Sequence, residues 1–370
     1  MAIAAAVTSA AVLAACSSNP SAPSGQAGGR LSHHGASGSS TTVTPSSTLA
    51  PGSSSSPLQA GSPIALPFSA DRVTAAESPD GAVFAAPQDP TSTAPAIAWV
   101  VDGNGPAQVA EHVGTGIAAL AADATNFYVA TYSNVFAYNR LSGDQDAQWT
   151  MPPVSAANGS DDDLVAMTAA AGSVYISVTK GNTVSVFTLN PASATGPRLV
   201  LRGLGDAIGP DGSIYYESMD HHLSVRKPGG TTLTGPALAD TPNGLGGGVQ
   251  YLDTVAGGAV WVSEPAGQGL DAGYTTYDAG TLAVIATFNG SVTNNVTDTQ
   301  AGTLVLQPAS GLQAACPQSP SPTGCVVRID THGTLTDPLV VGAAVSLVGP
   351  LPAVIESDTS TGQFDLVRIA

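Results

Sequence analysis

Pro210-Asp211-Gly212-Ser213-Ile214-Tyr215 decides the fold. A tight turn runs directly into a strand. Gly212 supplies the positive φ that a hairpin turn needs at no steric cost. Ile214 and Tyr215 then open a β-branched and aromatic run. The same order of residues recurs as Gly81-Ala82-Val83-Phe84, Gly172-Ser173-Val174-Tyr175, Gly258-Ala259-Val260-Trp261 and Gly302-Thr303-Leu304-Val305. Weaker copies are Thr125-Asn126-Phe127-Tyr128 and Pro352-Ala353-Val354-Ile355. The apolar position after the turn falls at Phe84, Tyr128, Tyr175, Tyr215, Trp261, Val305 and Ile355, a mean spacing of about 45 residues.

A repeat of this length with four short strands per unit marks a β-propeller blade. A third strand is readable in each unit, at 97–101, 135–138, 184–189, 223–226, 274–277, 325–329 and 364–369. The expected fold is therefore all-β, a seven-bladed propeller of four-stranded blades over residues 63–370. The last unit stops after its third strand, at Ala370. The segment 63–68, Pro-Ile-Ala-Leu-Pro-Phe, is expected to supply the missing outer strand and close the ring. Closure removes exposed edges, and its prolines suit an outermost strand, which is unpaired on one side.

These residues resemble the secreted seven-bladed propellers of the YVTN, NHL and streptogramin-lyase-like group. The turns Ser78-Pro79-Asp80-Gly81 and Gly209-Pro210-Asp211-Gly212 look like the hairpins of such repeats. The resemblance spans 63–370 and is architectural, and a fold of this kind hosts many functions. It implies that turns between first and second strands lie on one face. Loops between second and third strands, and between blades, lie on the other. That second face would receive Glu111-His112, the Asp161-Asp162-Asp163 run, Glu217 with Asp220-His221-His222, Glu264 with Asp271, and the loop around Cys316.

Upstream, residues 1–15 form an apolar, small-residue run ending Leu13-Ala14-Ala15-Cys16. This resembles the lipobox of bacterial lipoproteins, which implies cleavage before Cys16 and attachment of lipid, palmitate included, to its thiol. No Lys or Arg precedes the run, although secretory signals carry a basic n-region, so the true start is expected further upstream. Residues 16–62 are rich in Ser, Pro and Gly. Such a segment buries too little apolar surface to offset ordering entropy and reads as a disordered tether.

The 370 residues carry 10 basic and 27 acidic side chains, a net charge of −17. Without a basic stripe the chain is a poor nucleic-acid binder, and its charge gives it no attraction to an anionic membrane surface. Cys316 and Cys325 lie in a Pro, Ser and Gly-rich loop and read as a local disulfide in an oxidising compartment. So short a loop would contribute roughly 2–3 kcal/mol.

Two clusters carry candidate chemistry. Asp161, Asp162 and Asp163 are a hard-cation site or a solvated loop. Glu217 and His221, with Asp220 and His222, are a metal-ligand set, a general acid–base pair or a polar loop tip. The functional expectation is an extracytoplasmic, lipid-anchored, monomeric binding or scaffold module for a protein or small ligand, without a cofactor. The alternative is a metal-assisted lyase or hydrolase at the channel mouth, using Ca²⁺ or Mg²⁺.

Overall fold

The computed structural model describes residues 56–69, 73–87, 98–101, 106–110, 116–152, 164–181, 183–238, 251–264, 273–289, 296–308, 324–342, 344–358, 361 and 363–370. Every element of regular structure among them is a strand. After β1 (Ile64–Ser69), strands β2 (Val73–Glu77), β3 (Val83–Pro87), β4 (Ala98–Val101) and β5 (Pro106–Ala110) form sheet 1. Sheet 2 is β6 (Ile117–Ala122), β7 (Asn126–Thr131), β8 (Asn134–Asn139) and β9 (Gln145–Thr150). Sheet 3 is β10 (Leu164–Ala170), β11 (Ser173–Lys180), β12 (Thr183–Leu189) and β13 (Arg198–Gly203). Sheet 4 is β14 (Gly205–Ile208), β15 (Ile214–Glu217), β16 (His222–Arg226) and β17 (Thr232–Ala237). Sheet 5 is β18 (Tyr251–Ala256), β19 (Ala259–Glu264), β20 (Gly273–Asp278) and β21 (Val284–Asn289). Sheet 6 is β22 (Val296–Thr299), β23 (Gly302–Pro308), β24 (Gly324–Ile329) and β25 (Leu335–Val341). Sheet 7 joins β26 (Ala344–Val348), β27 (Ala353–Asp358) and β28 (Gln363–Arg368) to β1.

Each sheet is an antiparallel meander, and apolar clusters fill the junctions between successive sheets. Ala76 and Phe84 of sheet 1 meet Leu120 and Phe127 of sheet 2, and the sequence of junctions continues to sheet 7. Leu66, Val348, Ile355 and Leu366 of sheet 7 then pack on Ala75, Val83 and Ala85 of sheet 1. The architecture is a β-propeller with four-stranded blades. Its cores lie between the sheets because an alternating strand buries both faces against neighbours. Phe84 stacks on Phe127 at 4.7 Å between ring centroids, and Phe127 on Tyr138 at 5.0 Å. Full burial of such a ring is worth about 1.5–3 kcal/mol.

The organising turn has the conformation its glycine predicts, with φ 78° at Gly212. A Cβ there would lie 2.7 Å from Tyr175 Oη, and that hydroxyl donates to Gly212 O at 3.0 Å. Sheet 3 thus grips the turn of sheet 4. Similar bonds recur on this turn face. Tyr215 Oη donates to Ala279 O at 2.8 Å, and Thr276 Oγ1 to Thr331 O at 2.6 Å.

The expected outer strand at 63–68 is β1, which pairs with β28 through Ile64↔Leu366 and Ser69↔Gln363. The tether expected through residue 62 ends sooner. Gln59 N donates to Ala370 O at 2.9 Å, Ala370 N to Gln59 O at 2.9 Å, and Gly61 N to Arg368 O at 2.7 Å. Leu58 joins the cluster between sheets 6 and 7. A large apolar side chain beside an unpaired strand end explains the difference, because docking satisfies both. Residues 1–15 and most of 16–62, including Cys16, lie outside the described residues.

Candidate functional site

Glu217 closes β15, and the Ser218–His221 turn leads into β16. Ser218 N donates to His222 O at 2.9 Å, and His221 N to Ser218 O at 2.9 Å. The Ser218 hydroxyl accepts from His222 N at 3.0 Å and donates to Asp220 Oδ1 at 2.5 Å. That hydroxyl is the leading cause that holds the Asp220 carboxyl below its ordinary range. Leu238 N donates to His221 O at 2.7 Å, tying the outer strand to the turn. His221 has φ 60°, a left-handed conformation that a side chain adopts at some cost.

The Glu217 side chain is 1% exposed and its Oε1 lies 2.6 Å from His221 Nδ1, while the imidazole is 40% exposed. Strand alternation sets this placement. Tyr215, two residues earlier on β15, packs in the cluster shared with Leu252, Val260 and Val262 of sheet 5. Glu217 therefore continues the same face, opposite Gly205 of β14, which adds no side chain beside it. Glu217 Oε2 is buried without a hydrogen-bond partner among the described residues. Burial pushes the Glu217 carboxyl up, and the bond from His221 opposes that push. His222 Nδ1 lies 3.0 Å from Asp220 O. A carbonyl only accepts, so Nδ1 carries the proton in that contact.

The arrangement holds a proton between a buried carboxylate and a half-exposed imidazole, and it orients that ring. It does not by itself hold a metal: among the described residues no three His, Cys, Asp or Glu side chains come together as ligands. Asp161, Asp162 and Asp163 lie outside the described residues, as do Glu111, His112, Asp271 and Cys316. Cys325 is in β24, 2% exposed.

Two acids on innermost strands, Glu77 buried and Asp206 half-buried, are not singled out by the sequence. Asp206 of β14 pairs with Tyr216 and faces sheet 3, away from Glu217. Ser177 Oγ donates to its Oδ2 at 2.5 Å. Desolvation raises its pKa to about 6, against the effect of that bond. Glu77, 3% exposed, accepts from Arg368 Nη1 at 2.8 Å across the seam between sheets 1 and 7. Desolvation raises its pKa to about 7, opposed by Arg368. An acid inside an otherwise apolar innermost strand, as in Gly-Asp-Ala-Ile and Val-Thr-Ala-Ala-Glu, was the available signal.

No protein-family model matches the chain, and no curated protein matches its sequence. Solved structures do. The WD40 domain of Toxoplasma gondii coronin superposes with a TM-score of 0.50 at 12% identity, covering 85% of this chain and 87% of that one. Hsv2 of Kluyvelomyces marxianus gives a TM-score of 0.44 at 8% identity, covering 83% and 98%. The WD40 domain of fission yeast SCAP gives 0.42 at 11% identity, covering 82% and 83%. At such identities the likeness to the coronin domain concerns the fold, which is that of the β-propellers.

Proposed function

We propose that this chain is an extracytoplasmic, lipid-anchored propeller that binds another protein. The observation that carries this reading is the Ser218–His221 turn. Met219 stands 63% exposed at its tip, with Asp220, His221 and His222 around it and two paired strands beneath it. An apolar side chain ringed by polar groups on a rigid support has the anatomy of a protein contact. Affinity capture from a cell-envelope extract with the full chain tests it. The expected result is a partner retained by the wild type and lost with Met219→Asp. Equal retention by both overturns the assignment of that turn.

The ring is read as seven-bladed, on the support of its four-stranded sheets and the apolar clusters between them. Cys16 is the lipidated residue in this reading. Cys16→Ser is expected to release the protein from membranes into the soluble fraction, and continued membrane retention defeats the anchor. A Cys316–Cys325 disulfide belongs to the same extracytoplasmic reading, in which thiols oxidise. Peptide mapping without reductant checks the pair.

A second reading follows from the 2.6 Å contact between Glu217 and His221. It makes the pair the acid–base centre of a lyase or hydrolase assisted by Ca²⁺ or Mg²⁺, with Asp161, Asp162 and Asp163 as candidate ligands. Thermal melts with EDTA, Mg²⁺, Ca²⁺ and Zn²⁺ separate the readings. A site held at a hundred times its dissociation constant stabilises by about 2.7 kcal/mol. A metal-specific rise in the midpoint that His221→Ala removes favours the enzyme.

A further inference from the structure

The outermost strand of a blade presents a row of unpaired backbone donors and acceptors. Natural proteins blunt such edges with proline or charge. Six of the outer strands here follow that rule. Pro67 stands in β1, Pro106 in β5, Asp146 in β9, Arg198 and Arg202 in β13, Pro236 in β17, and Asp337 with Pro338 in β25. The remaining one, β21, reads Val-Ile-Ala-Thr-Phe-Asn, with neither. No ionisable residue stands anywhere between Asp278 and Asp298, in a chain of net charge −17.

The strand is also well built. Ile285 and Phe288 pack on the cluster that contains Trp261 and Tyr274. The Phe288 ring lies 6.0 Å from that of Trp261 and 6.1 Å from that of Tyr274. Thr287 Oγ1 is 3.0 Å from Thr275 Oγ1 of the neighbouring strand. Among the described residues β21 pairs on one side only, with β20. Val284, 56% exposed, is the most exposed large apolar side chain of any described strand.

Resting on the reading of the chain as a protein-binding propeller, we propose that β21 is a docking edge, to which an extended polypeptide segment of neutral to basic charge adds as a fifth strand of sheet 5. Backbone hydrogen bonds supply the binding in this mode, and alternate side chains supply the selection. With no charge on β21, selection falls to β-branched and apolar residues opposite Val284 and Thr287. The net charge of −17 opposes an acidic segment and equally opposes a second copy of the chain.

The experiment uses the full chain and a labelled synthetic peptide of alternating Thr and Val, flanked by Lys. The same peptide flanked by Asp, and a version with central prolines, accompany it. Binding is read by fluorescence anisotropy, its place by hydrogen–deuterium exchange, and self-association by sedimentation velocity. The Lys-flanked peptide is expected to bind and to protect amides of β21. The double variant Val284→Lys, Thr287→Lys is expected to weaken binding about tenfold or more. Leu233→Lys, on the edge of β17, should leave it unchanged. Thr287→Lys alone, at an exposed position, gives the same readout if the double variant melts early.

Equal binding by the variants, protection elsewhere, a proline peptide that binds as well, or no binding up to about 1 mM overturns the proposal. So does dimerisation that the Lys substitutions abolish, which assigns the edge to a second copy. A captured natural partner that holds the double variant as tightly as the wild type leaves the scaffold reading standing and removes this one. A chain that captures no partner defeats the scaffold reading, and the peptide titration then judges β21 by itself.

Discussion

Glu77 and Glu217 occupy matching circumstances with opposite partners. Each ends a strand, each is buried, each has one oxygen paired and Oε2 without a partner among the described residues. Glu77 is paired with Arg368 and Glu217 with His221. Arg368 is always charged. It also donates to Leu351 O at 3.0 Å and to Gly81 O, so one guanidinium ties the last blade to the first turn of sheet 1. A side chain added at Gly81, φ 91°, would strike Leu351. That site is a closed seam. His221 faces outward from a turn on the loop face, its imidazole 40% exposed. The same kind of buried carboxylate thus serves ring closure in one place and orients a half-exposed imidazole in the other.

The difference should break most visibly at the seam. Arg368→Ala strands a buried carboxylate and empties the contacts to Leu351 and Gly81. A loss of about 2–4 kcal/mol is expected, reduced from the full cost of breaking a buried pair because Arg368 is 31% exposed. Urea denaturation of the two proteins measures it. A loss under about 1 kcal/mol would mean that the clusters close the ring without the ion pair.

The seam also has a pH signature. The Glu77 pKa is raised from 4.5 to about 7 in the folded chain, mainly by desolvation. The folded state therefore holds a proton that the unfolded state has released, between those values. Its contribution is fully present below 4.5 and is lost as pH rises through 7. Glu77→Gln should flatten the fall in stability across that window. A wild type and variant with parallel profiles would show that Arg368 keeps Glu77 ionised throughout. Asp206 gives a smaller version of the same sign, from 3.8 to about 6, which Asp206→Asn should remove.

Local signals in the sequence carry much of this fold. Turn glycines and aromatic strand starts are written in adjacent residues, so the repeat, its third strands and the closing strand at 63–68 were legible. The docking of Leu58 was not, because it depends on Arg368 and Ala370, some three hundred residues away in the chain. Glu217 and His221 were found as neighbours in sequence, four apart on one turn. Glu77 and Asp206 were missed because their partners, Arg368 and Ser177, are brought near only by the ring. A charge inside an apolar inner strand carries that information in half, naming the acid but not what answers it.

The smallest effect sharpens the comparison furthest, because His221 combines two features that Arg368 lacks. It bonds Glu217, and it sits at φ 60°. His221→Ala removes the bond and keeps a Cβ in the left-handed region. A loss of about 1–2 kcal/mol is expected, since the exposed ring position admits water to the carboxylate. His221→Gly removes the bond equally but relieves the backbone, and should be more stable than His221→Ala by about 0.5–1 kcal/mol. If the two variants melt together, the turn is unstrained and the whole cost belongs to the Glu217 contact. If His221→Gly matches the wild type, the contact does no more than offset the strain of the turn. The chain would then hold a side chain in an unfavourable conformation, over a buried carboxylate, with no net structural return. That outcome would turn the strain itself into an argument for a functional imidazole, because strain that stability does not explain collects at functional sites.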